Sequence, residues 1–329
     1  MRRRDLLASG VAAAAFASLA AAQQIDRPRR LGVLMEFAEN DPRGQALLAV
    51  FIRRLAELGW QEGRNLKVDT RFAGGQPERM RALAAELTSL QPDLILASGT
   101  PVTIVLKQTT QSIPLVFVQV ADPVGNGIVQ SLSRPGRHIT GFANFEPTMV
   151  GKWLELLKEA APGVKRALLL QNPENPTWHG YLRIAATAAP ALAVEPVPRG
   201  VHDAAEIEAA VAEFAREPNG GVVVLPDATT TVMNRDRLIS LARQYRLPAV
   251  YPFRYVANLG GLIGYGPDPL DIFHRGAGYV DRILRGASPG DLPVEAPTKF
   301  ELAINLKTAR DLGLTIPPVL LARADELIE

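Results

Sequence analysis

A chain of 329 residues with 47% apolar side chains is long enough to bury more than one core, so two domains are expected. Aromatic residues make up only 6%, while glycine and proline number 27 and 26; this balance suits an α/β protein with many short turns and argues against a β-sandwich or a coiled coil. The 36 Lys and Arg against 34 Asp and Glu leave no excess charge to hold nucleic acid, and the absence of cysteine excludes disulfides, thiolate metal sites and a lipid-modified cysteine.

The chain opens with Arg2, Arg3 and Arg4, an apolar stretch from Leu6 to Leu19, and small residues at Ala20, Ala21 and Ala22 before Gln23, which is the layout of a secretory signal. Arg3-Arg4-Asp5-Leu6-Leu7 also fits a twin-arginine pattern. The stretch is shorter than the roughly 20 residues of a spanning helix, so residues 1–22 are expected to be removed on export, leaving a soluble protein in the periplasm.

Leu31-Gly32-Val33-Leu34-Met35 is a buried-type strand that runs out at Glu36 and Phe37, two residues placed to border a cleft or to lie at the surface. Asp41-Pro42 then gives a cap and a first-turn proline, and Leu47, Phe51, Leu55 and Leu58 form one helical face. Leu66, Val68, Thr70 and Phe72 alternate as a strand, and Met80, Leu83, Leu87 and Leu90 face inward from the next helix. Leu94-Ile95-Leu96-Ala97 ends in Ser98, Gly99, Thr100 and Pro101, where Thr100 is the expected N-cap and the unpaired N–H groups of the following turn make a small anion site. The series continues through Leu115 to Val120, the loop from Ala121 to Gly127, and a short strand at Ile139-Thr140-Gly141-Phe142.

Near Asn144 the order begins again, with a helix carrying Trp153, Leu154 and Leu157, a strand at Ala167 to Leu170, and a loop from Gln171 to Trp178. Gly221 to Leu225 runs into Pro226, Asp227 and a run of threonines, a second strand end like that at Thr100. Either junction alone is also what an ordinary strand-to-helix turn looks like. Two of them suggest two lobes closing on one molecule, because open α/β sheets bind ligands beyond the carboxyl ends of their strands. Crossings between lobes are expected at about residues 144, 252–255 and 291–293. They divide the chain into one lobe of residues 29–143 plus 254–292 and another of residues 144–253 plus 293–329. On this division the strand at Leu262 to Tyr265 and the helix from Pro269 to Leu284 return to the first lobe, and Leu302, Ile304 and Leu306 form a last strand.

Seven stretches carry a resemblance to a known family: Gly32-Val33-Leu34-Met35; Glu57-Leu58-Gly59-Trp60 with Glu62-Gly63-Arg64-Asn65; Gly99-Thr100-Pro101; Ala121-Asp122-Pro123-Val124-Gly125; Ile139-Thr140-Gly141-Phe142; Lys152-Trp153-Leu154-Glu155-Leu156-Leu157-Lys158; and Ala303-Ile304-Asn305-Leu306-Lys307-Thr308-Ala309. They resemble the periplasmic substrate-binding proteins of ABC transporters, in the group that includes tryptophan and tyrosine binders. The resemblance spans nearly the whole chain after the signal. It implies a type I periplasmic-binding-protein fold, two Rossmann-like lobes with parallel sheets joined by three crossings, and a role in handing a small ligand to an ABC permease at the membrane; the protein is expected to be a monomer. It further implies ligand contacts from Ser98, Gly99, Thr100, Asp122 and Pro123 on one side, and from Asn172, Asp227, Thr229 and Thr230 on the other. Thr100 would hold a carboxylate and Asp227 an ammonium or amide. Arg254 departs from the pattern of the tryptophan binders; it would pair with a second carboxylate of the ligand, or else with a neighbouring acid of the protein. Trp178 would cover a ligand or pack at a helix start.

Signatures of catalysis are scarce. Gly125-Asn126-Gly127 lacks the third glycine of a dinucleotide loop, and no phosphate-binding loop, nucleophile elbow or His-Glu-x-x-His is present. His138, His179, His202 and His274 have no metal-ligand spacing, so neither a cofactor nor a metal is expected. A carboxylate-bearing amino acid or organic acid is the expected ligand. A sensor subunit and an exported enzyme on the same fold are the alternatives.

Overall fold

The computed structural model describes residues 27–329. The expected signal segment, residues 1–22, lies outside the described residues. No helix among the described residues is long and apolar enough to cross a membrane.

The first lobe alternates strand and helix from the start: β1 (Arg29–Met35), α1 (Pro42–Glu57), β2 (Leu66–Phe72), α2 (Pro77–Ser89), β3 (Leu94–Ser98), α3 (Thr100–Thr109), β4 (Leu115–Val120) and β5 (Ile139–Ala143). The strands pair in the order β2-β1-β3-β4-β5, all parallel. A parallel sheet is covered on both faces, which is why β3 and β4 are apolar runs buried along their whole length. The helices begin where the sequence supplies caps. The Asp41 carboxylate accepts from the N–H groups of Arg43 and Gly44 at 2.7 and 3.0 Å, and Leu47, Phe51 and Leu55 face the core as expected. At α3 the cap differs from the expectation. Gly99, at φ +97°, takes the N-cap position and Thr100 is already helical, because the chain must turn through a conformation that a side chain at this point would strain.

The second lobe contains α4 (Met149–Ala160), β6 (Arg166–Gln171), α5 (Trp178–Ala188), β7 (Glu195–Gly200), α6 (Ala204–Phe214), β8 (Gly220–Val224), a turn of π-helix at Ala228–Met233, α7 (Arg235–Gln244), β9 (Ala249–Tyr251) and the short α8 (Tyr255–Asn258). Next come β10 (Ile263–Pro267) and α9 (Pro269–Leu284); β11 (Phe300–Asn305), α10 (Leu306–Asp311), α11 (Pro318–Ala322) and β12 (Glu326–Ile328) complete the chain. The sheet order is β12-β11-β10-β9-β8-β6-β7, parallel except where β10 meets β11. Its core centres on Trp153, fully buried, whose indole N–H donates to the Tyr265 carbonyl at 2.9 Å and whose ring meets Phe145 edge-on.

Strand β10 was expected in the first lobe and instead pairs with β9 and β11 in the second. Glycines 264 and 266 let residues 252–254 run directly over it: a Cβ at Gly266 would stand 1.9 Å from the Pro252 carbonyl oxygen, and one at Gly264 would stand 2.3 Å from that of Phe253. The chain therefore crosses back at Asp268, which caps α9, and that helix does join the first lobe, burying Ile272, Phe273, Ala277 and Val280 with Leu47 and Phe51. The last crossing also comes later than expected. Val294 and Glu295 still hydrogen-bond to Leu132 and Gly141 of the first lobe, and only residues 296–299 lead to β11. Leu306 opens α10 rather than continuing the strand, since the Asn305 side chain caps that helix through the Thr308 N–H.

A candidate ligand-binding cleft

The carboxyl ends of β1, β3 and β4 face those of β6 and β8 across a narrow cleft. From the first lobe come Glu36 and Phe37 after β1, Arg43 in the first turn of α1, Thr100 at the start of α3, and Gln119 near the end of β4. From the second come Asn175, Asp227 and Thr231, with Phe253 and Tyr255 from the segment after β9.

Three features give the cleft its electrostatic character. Glu36, 9% exposed, is raised to about 8 by burial and by the nearby Asp227 carboxyl. Asp227 is likewise pushed up by burial, although its hydrogen bonds pull the other way: Oδ1 accepts from the N–H groups of Thr229 and Thr230 at 2.7 and 3.2 Å, and Oδ2 from Asn175 Nδ2 at 3.0 Å. Opposite them the Arg43 guanidinium lies 4.6 Å from the centre of the Tyr255 ring, which Arg235 also approaches at 5.8 Å. Burial lowers the pKa of Arg43 and raises that of Tyr255. Arg43 Nε and Gln119 Nε2 are buried donors with no acceptor among the described residues.

The residues expected at the site divide into four groups. Glu36, Phe37, Thr100 and Asp227 line the cleft. Ser98 and Gly99 lie just behind it, Ser98 fully buried and Gly99 directly under the Glu36 carboxyl, while Thr230 is buried with its hydroxyl donating to the Leu225 carbonyl. Asn172 and Thr229 line an adjoining pocket that Asp227 and Asn175 also border, and their side chains meet at 3.3 Å. Asp122, Pro123 and Arg254 do not line the cleft. The Asp122 carboxylate closes a turn through the Gly125 N–H at 2.9 Å, and the Pro123 carbonyl accepts from Ile128 in the same turn. Arg254 is held by Glu301 at 3.1 Å and Glu326 at 3.6 Å, the neighbouring-acid alternative. Arg254→Gln is accordingly expected to change ligand affinity less than about threefold and stability by about 1 kcal/mol or less, as checked by calorimetry and urea unfolding. Trp178 is 7% exposed and packs into the second-lobe core at the start of α5.

Several lining residues were not singled out from the sequence, Arg43, Asn175, Tyr255 and Gln119 among them. Arg43 follows Asp41-Pro42, so the helix start that marked Thr100 marks it equally; Asn175 lies in the loop already noted beside Asn172. Tyr255 lies in the expected crossing segment. Gln119 carries no signal beyond being a polar residue in an apolar strand, where it adopts φ +57°. Among the described residues no group of three or more potential metal ligands comes together.

The model of a protein family described as ABC transporter substrate-binding proteins matches residues 36–328. The chain is 25% identical over 264 residues to a tyrosine-binding protein of Clostridioides difficile, covering 80% of this chain and 75% of that one. Among solved structures, a conserved domain protein from Vibrio cholerae superposes with a TM-score of 0.85 at 28% identity, covering 92% of this chain and all (100%) of that one. An ABC domain from Streptococcus pneumonia in complex with L-Trp shares the fold at a TM-score of 0.83 and 24% identity, again over 92% of this chain and 100% of that one. With two α/β lobes around a cleft and a family match that spans nearly all of the described residues, the chain belongs to the ABC transporter substrate-binding protein family.

Proposed function

We propose that this solute-binding component of an ABC importer captures an amino acid or a closely related organic acid between its lobes and delivers it to a membrane permease. The observation that carries the ligand class is the pairing of opposite chemistries in one buried cleft. Glu36 and Asp227 supply acceptors for an ammonium group, while Arg43 Nε and Gln119 Nε2 are donors without protein acceptors, suited to a carboxylate. The tyrosine-binding relative supports an amino acid. The protein works in the periplasm as a monomer, without a cofactor and without turning its ligand over.

Mass spectrometry of small molecules released from freshly purified, denatured protein tests the ligand class directly. An amino or carboxylic acid is expected; recovery of only lipids or inorganic cations would overturn the proposal. Arg43→Gln should then weaken binding of the recovered compound about 10- to 100-fold by calorimetry, the value of a hydrogen bond to a charged group. Its melting temperature should fall modestly, because Nε has no partner that the substitution would strand but the stacking of the guanidinium on Tyr255 is lost.

A further inference from the structure

Two carboxyl groups brought together from opposite lobes in a buried cleft are difficult to charge at the same time unless a cation stands between them. Glu36 leaves the end of β1 and Asp227 follows β8, and both line the same cleft. Their surroundings are unequal. Asp227 accepts hydrogen bonds from two backbone N–H groups and from Asn175. Glu36, 9% exposed, receives no hydrogen bond from any described residue, and its carboxyl rests on Gly99 so closely that a Cβ there would lie 2.3 Å from Oε2. An acid buried this deeply, unpartnered and facing a second acid, points to a ligand that brings the missing charge.

The remaining charged and titratable groups around the cleft leave both acids without an ion pair. Arg43 of α1 stacks on Tyr255 of α8. Arg235 of α7 pairs with Asp236 and lies 4.0 Å from Asp41, the acid that caps α1. Asp268 caps α9, and Arg254 is paired with Glu301 and Glu326. None of these forms an ion pair with Glu36 or Asp227.

We propose that Glu36 and Asp227 form a two-lobed socket that holds one proton in the free protein and releases it when the ligand's ammonium group seats between them. The inference rests on the amino-acid reading of the cleft and adds a regulation to it: capture is linked to proton release. The sign follows from the occupants. Burial and the facing acid keep the proton on Glu36 in the free protein, whereas a bound ammonium stabilises the ionised form, so the complex carries fewer protons. Affinity therefore rises with pH between about 6 and 8, by at most about tenfold per unit for one proton, and levels off once free Glu36 is already ionised.

Two measurements test the proposal. The L-amino acids are screened by thermal shift, and the strongest binder is titrated calorimetrically at pH 7 in phosphate and in Tris, buffers of different ionisation enthalpy. Release of close to one proton per ligand by the wild type, and close to none by Glu36→Gln, is expected. Tight binding with no proton release would overturn the socket and leave the amino-acid reading standing, whereas failure of every amino acid to bind would overturn both. Infrared difference spectra of the ligand-free protein at pH 7 supply the second measurement. A protonated carboxyl band should be present in the wild type and lost in Glu36→Gln; its absence from the wild type would also overturn the proposal.

Discussion

Asp227→Ala should lose ligand binding and part of the fold together. In the described structure the carboxylate accepts from Thr229, Thr230 and Asn175, and the residue is 8% exposed. Alanine removes the cap of the π-helical turn and leaves these buried donors without an acceptor, at a cost of roughly 2–4 kcal/mol in stability. Affinity should fall by about two orders of magnitude or more, since the acceptor for the ligand's ammonium goes with it. Asp227→Asn separates the two effects. Its side-chain oxygen still serves Thr229 and Thr230, so most of the stability should return, but its amide meets the Asn175 amide and carries no charge, so affinity should not. Urea unfolding and calorimetry on the two variants supply the comparison. An alanine variant as stable as the wild type would show that the cap is not formed.

Gly266→Ala should be more damaging to the fold than substitution at any exposed glycine. The added Cβ would meet the Pro252 carbonyl at 1.9 Å, and a backbone oxygen cannot swing aside as a side chain does. Either β10 leaves the sheet or residues 252–254 lift away, and a cost of about 3 kcal/mol or more is expected. Gly163→Ala is the control, because nothing lies within 4 Å of its added Cβ. Equal urea midpoints for the two variants would mean that the strand and the segment above it are farther apart than described.

Much of the first lobe was legible in the sequence because its caps and periodic faces are local: Asp41-Pro42 and the spacing of Leu47, Phe51 and Leu55 require no knowledge of what they pack against. Sheet membership is not local. Strand β10 has the same apolar, glycine-bearing pattern whichever sheet it joins, and only its pairing with β9 and β11 decides the matter. Strand β7 contains Pro196 and Pro198 and gives no strand signal, yet it is tolerated at the sheet edge, where one side of the ladder is free. The cleft follows the same division. Glu36, Thr100 and Asp227 were visible as polar residues at strand-to-helix junctions. Gln119 and Tyr255 come to the cleft through the way the lobes meet, which no periodicity records. Thr100 shows the opposite difficulty: lying outside an apolar run, it looks dispensable for folding, yet its hydroxyl accepts the buried Ala121 N–H at 2.9 Å and ties two strand ends together.

The close seating of residues 252–254 on β10 also has a mechanical meaning. A segment pressed backbone to backbone onto a central strand moves with that strand as part of one stiff body, so the stretch after β9 acts as a fixed strut. The chain passes between the lobes in short strips at residues 144–148, around Asp268, and at 296–299, and any change in the angle between the lobes is expected to be taken up there. Phe253 and Tyr255, mounted on the strut, are expected to travel with the seven-stranded body, which makes the Tyr255 ring a fixed wall against Arg43 of the first lobe.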